Sequence, residues 1–109
     1  MLNDIHIDLV HARKNTLNES AMAQLAGQIR FLLYRLMGPR AWRQMQNVRI
    51  TGQRSDLNRF SNVISKEKRY MDAYLKHGLN DKRVLDNRYN LERAVRNFES
   101  ETGIKWPLK

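Results

Sequence analysis

The sequence predicts a mainly α protein, bordering on α+β: a central helix, a long antiparallel α-hairpin and a small two-stranded β element at one end. Three observations carry this. Met22, Leu25, Ala26, Ile29, Leu32, Leu33 and Leu36 recur at helical spacing between Ser20 and Met37. Two later stretches, at about 55–77 and 81–102, each carry an apolar arc, and Gly78 lies between them. Two short segments, at about 4–10 and 46–51, alternate apolar and polar residues.

The first segment reads two ways. Ile5, Ile7 and Leu9 alternate with His6 and Asp8 as in a half-buried strand, while Leu2, Ile5, Leu9 and Ala12 also fit one helical face. β-Branched residues at the inward positions favour the strand. His6 and His11 have no second histidine or carboxylate at metal-ligand spacing and read as surface residues. Arg13 to Thr16 is polar and reads as a loop.

The central helix, at about 18–37, starts either from a Thr16/Glu19 capping box or from Asn18 as N-cap. Gly38-Pro39 ends it. Phe31 points about 180° from the apolar stripe, among Gln24, Gln28, Tyr34 and Arg35. The reading favours a cover from the N-terminal strand or the C-terminal tail. The alternative makes Phe31, Tyr34 and Arg35 an interaction surface for an acidic partner or a second copy.

Arg40 to Ser55 is the densest basic stretch, with Arg40, Arg43, Arg49 and Arg54 and no acid. Val48 and Ile50 alternate within it, as in a short strand able to pair with Ile5–Leu9. Ser55 is expected to cap the next helix, with Asp56 in its first turn. Leu57, Phe60, Val63, Ile64, Tyr70, Met71, Tyr74 and Leu75 form its inward arc; Arg59, Asn62, Lys66, Arg69 and Lys76 lie opposite. Glu67 falls inside the apolar arc, where an unpartnered carboxylate would cost several kcal/mol. Folding at Gly78 brings Arg88 nearly level with it, so a Glu67–Arg88 ion pair is expected, or failing that a pair with an arginine of the central helix. A catalytic Glu67 would need a histidine or second carboxylate beside it, and neither is clearly placed.

Asn80 or Asp81 caps the last helix, which ends at Gly103. The tail Ile104-Lys105-Trp106-Pro107-Leu108 is apolar and is expected to fold back, with Trp106 as a plug in the core.

Composition bounds the function. The 109 residues read as one domain, without cysteine and therefore without disulfides or thiolate metal sites. No signal-peptide pattern or spanning apolar run is present, which leads to the expectation of a cytoplasmic protein. Twenty Lys and Arg against eleven Asp and Glu give a net charge of +9. That balance points to a polyanionic partner, nucleic acid (DNA or RNA) first and an acidic protein second. The candidate phosphate contacts are Arg40, Arg43, Arg49, Arg54, Lys66, Arg69 and Lys76. No phosphate-binding loop, metal motif or nucleophile elbow occurs. The reading is a non-enzymatic binding or regulatory protein without a cofactor, with a protein-interaction module as its alternative.

Overall fold

In the computed structural model, which describes residues 5–37 and 48–108, the elements run β1 (Ile5–Asp8), α1 (Leu9–Lys14), α2 (Glu19–Leu36), β2 (Val48–Thr51), α3 (Arg54–His77) and α4 (Lys82–Thr102). The architecture is mainly helical with one small sheet, and α3 and α4 pack closely as a hairpin. None of the described helices is long and apolar enough to cross a membrane. Gly38-Pro39, Arg40, Arg43 and the residues flanking the two strands at 4 and 46–47 lie outside the described residues.

β1 and β2 pair in parallel, with Ile5 opposite Val48 and Asp8 opposite Thr51. A parallel pair needs a crossover, and α1 and α2 lie within it. Ile5 and Ile7 face the core, as the alternation requires. The strand stops at Asp8, whose carboxylate accepts from the backbone N–H groups of Val10 and His11 and starts α1. This short helix replaces the expected continuation of the strand to Val10 and the expected loop from Arg13. Leu9 and Ala12 are buried from its inner side.

Asn18 caps α2, its side chain accepting from Ala21 N–H at 2.9 Å. Thr16 serves elsewhere: its hydroxyl accepts from the backbone N–H of Lys105. Leu25, Ala26, Ile29, Leu32 and Leu33 are buried, and Met22 and Leu36 pack at the margins, so the predicted stripe is the inward one. α3 starts at Arg54 after Gln53, two residues earlier than a Ser55 cap implies, and no side chain caps it. Asp56 lies in its first turn, as expected, and is buried as partner of Arg13, whose Nε also donates to the carbonyl of Thr102 at 2.9 Å. Gly52 lies against α1: a Cβ there would meet Leu9 Cβ at 3.0 Å.

Asp81 caps α4, and Gly103 closes it in the left-handed region at φ 75°. The tail then returns to the core. Phe60, Phe98 and Trp106 stack on one another, with centroids 5.4 to 6.3 Å apart. Trp106 is 3% exposed, the predicted plug. The buried apolar side chains of the sheet, α1, α2, the lower hairpin and the tail form one cluster. Past Met71 and Leu91 the hairpin extends beyond it. Val84 is the buried apolar residue of that extension, while Tyr74, Leu75, Leu79, Leu85 and Tyr89 stand exposed.

Candidate functional site

The two flanks of α4 differ in chemistry. On one flank, Glu67, Tyr70, Arg88, Leu91, Glu92 and Trp106 help line a cavity of about 560 Å³. Glu67 is buried to 9% exposure and accepts a 2.9 Å hydrogen bond from Trp106 Nε1. Burial pushes its carboxyl above the ordinary value, and the indole N–H opposes that shift. The expected Glu67–Arg88 ion pair is therefore corrected. Trp106, delivered by the tail, satisfies the carboxylate, while Arg88 donates to Glu92 one turn along its own helix, at 3.2 Å. A neutral donor already in the core displaces a long, solvated guanidinium that has a partner at i+4.

On the other flank, α3 and α4 bound a polar groove of about 380 Å³, lined by Asn62, Lys66, Asn90, Arg93, Ala94 and Asn97. Helical spacing builds it. Asn62 and Lys66 are i,i+4 on α3, and Asn90, Arg93 and Asn97 follow at i, i+3 and i+7 on α4. Buried Ala94 contributes no bulk between them. No acidic side chain lines the groove. One turn beyond Asn62 and Asn97, Arg59 and Glu101 bridge the helices at 3.7 Å; towards the tip, exposed Asp86 lies one turn before Asn90.

The groove side chains have little intramolecular engagement. Among the described residues, Asn62, Asn90 and Asn97 make no side-chain hydrogen bond, and Lys66 makes no ion pair. Arg93 meets the face of Tyr89, 5.9 Å from the ring centre. Other asparagines serve the backbone: Asn87 donates to the carbonyl of Arg83, Asn15 to that of His11, and Asn18 caps α2. Asparagine inside a helix costs roughly half a kcal/mol relative to alanine, and the groove asparagines have no local bond that offsets it.

Of the predicted phosphate contacts, those among the described residues (Arg49, Arg54, Lys66, Arg69 and Lys76) do not all converge on one place. Lys66, Arg69 and Lys76 share one side of α3, within about 80° of one another, and Lys66 enters the groove. Arg54 opens α3, about 33 Å along the axis from Lys76. Arg49 lies on the exposed side of the sheet and donates to His6 Nδ1 at 3.5 Å, while His6 Nε2 meets Thr51 Oγ1 at 2.9 Å. The sequence reading missed Asn90, Arg93 and Asn97. Their i, i+3, i+7 spacing was the available signal, but only the hairpin register sets them opposite Asn62 and Lys66.

On α2, Phe31 is 40% exposed and Tyr34 is 74% exposed. The expected cover over Phe31 is replaced in part by Arg35, whose guanidinium sits 4.6 Å from the ring centre. The strand reaches this side through Gln28, which donates to the carbonyl of His6 at 3.1 Å. Comparison with family models, curated proteins and solved structures returns no match.

Proposed function

We propose that the protein is a non-enzymatic nucleic-acid-binding protein that holds the sugar–phosphate backbone along the α3–α4 seam. The observation that carries this reading is the acid-free groove of Lys66, Arg93 and three asparagines without internal partners, in a chain of net charge +9. Lys66 and Arg93 supply charge for phosphate, and Arg69 and Lys76 continue it along α3. Fluorescence anisotropy against labelled nucleic acid over a salt series tests it. Lys66→Ala combined with Arg93→Ala should weaken binding at least tenfold at low salt. It should also lower the log–log salt slope by about 2, close to 0.9 for each phosphate contact removed. Unchanged affinity and slope would refute the groove as the contact surface.

A second reading, a protein-interaction module, is supported by exposed Phe31 and Tyr34. Here α2 would dock on an acidic partner or a second copy through Phe31, Tyr34 and Arg35. Light scattering should then show a dimer that Phe31→Ala dissociates, without affinity for nucleic acid.

A further inference from the structure

Resting on the nucleic-acid reading above, we infer that the seam groove is selective for RNA, through hydrogen bonds from ribose 2′-hydroxyls to the amide oxygens of Asn62, Asn90 and Asn97. A groove between two helices is concave and takes in a ridge. On a nucleic acid the ridge is the sugar–phosphate strand; the base edges lie at the floor of a groove of their own. Lys66 and Arg93 match the phosphates of that ridge, since both offer donors alone.

The amides are different. Each carries an acceptor as well as donors, and all three lack internal hydrogen bonds among the described residues. A DNA backbone presents only acceptors, so it leaves the amide oxygens without partners. An RNA backbone adds the 2′-hydroxyl, which donates and accepts. An oxygen desolvated against DNA is a penalty that RNA removes, and that asymmetry produces selectivity. Asn90 and Asn97 lie about 10 Å apart along α4, so the groove spans more than one nucleotide. Two cations alternating with three amides around a small alanine floor thus match phosphate alternating with ribose.

Anisotropy with the full chain and three 20-base-pair duplexes of one sequence tests this: RNA, 2′-fluoro RNA and DNA. The fluoro duplex keeps the A-form and the charge but cannot donate from the 2′ position. RNA should bind at least about tenfold tighter than either other duplex. Asn62→Ala/Asn90→Ala/Asn97→Ala should bring the RNA to 2′-fluoro ratio near one, by weakening RNA and relieving the desolvation penalty paid with the other two duplexes. Lys66→Ala/Arg93→Ala should weaken all three duplexes by a common factor. Equal binding of RNA and 2′-fluoro RNA overturns the inference, and if the Lys66/Arg93 variant still weakens both, the groove reading itself survives. If that variant changes nothing, both fall. Circular dichroism confirms that each variant is folded.

Discussion

On one flank of α4, Trp106 donates to Glu67 and Arg88 donates to Glu92; on the other, Asn62, Asn90 and Asn97 have no side-chain hydrogen bond among the described residues. Both flanks carry polar groups, and both face the space beside the same helix pair. In the first, Glu67 and Arg88 have their partners within the chain, and among the described residues no buried side-chain nitrogen or oxygen lacks a partner. Such groups hold the fold together. In the second, donors and acceptors keep their capacity and lower helix propensity. The contrast separates groups that maintain the structure from groups available to a partner.

Four measurements test that contrast. Trp106→Ala should be the most damaging, at roughly 4 kcal/mol, because it empties the centre of the aromatic cluster and leaves Glu67 without its donor. Urea unfolding measures it. Trp106→Phe keeps most of the bulk and should cost less, roughly 2 kcal/mol, which isolates the hydrogen bond. In the groove, Lys66→Ala/Arg93→Ala should leave the urea midpoint within about 0.5 kcal/mol of the parent while reducing nucleic-acid affinity as above. A loss of stability comparable to that of Trp106→Phe would show that the seam is structural.

The third measurement uses pH. The carboxyl of Glu67 is raised in the folded state above its ordinary 4.5, because burial disfavours the charge. The folded protein therefore holds this proton where the unfolded chain has released it. The contribution is full below 4.5 and is lost as pH rises through the native value. Unfolding free energies between pH 4 and 8 should show that decline, and Glu67→Gln should remove it. The Asp81 carboxylate, held well below its ordinary value by Arg83, acts in the opposite sense: its contribution is present above 3.8 and fades as pH falls further. The smallest effect closes the contrast. Asn90→Ala and Asn97→Ala should each raise stability by about 0.5 kcal/mol, since alanine is the better helix former and no internal bond is lost. Thermal unfolding distinguishes this from a structural role, in which both substitutions would destabilise.

Much of the fold was legible because its elements are long and periodic. The stripe of α2, the turn at Gly78 and the stop at Gly103 follow from spacing and from glycine at helix ends. Short elements were harder. The six residues of α1 overlap an alternating pattern that ends at Leu9, and local periodicity does not separate a strand from one and a half turns of helix. Tertiary partners were hardest. Glu67 was recognisable as a carboxylate in need of a partner, and Trp106 as a residue in need of cover. That each answers the other depends on how the tail returns, across 39 positions of sequence. The seam was hidden for a similar reason: Asn62 and Lys66 lie on α3 and the other four lining residues on α4, and neither set forms a motif.

The return of the tail has a consequence for synthesis. Lys105 N–H donates to Thr16, and Arg13 reaches both the carbonyl of Thr102 and the carboxylate of Asp56. The earliest described helix and the turn after it are thus fastened by Asp56, 43 positions after Arg13, and by Thr102 and Lys105, each 89 positions after its partner. Until Thr102 and Trp106 have emerged, α1 lacks part of its clasp and the aromatic cluster has no indole. The α3–α4 pair can zip locally, but the interior closes only after Trp106 clears the exit tunnel, which makes nascent chains halted before that residue open to proteases and chaperones.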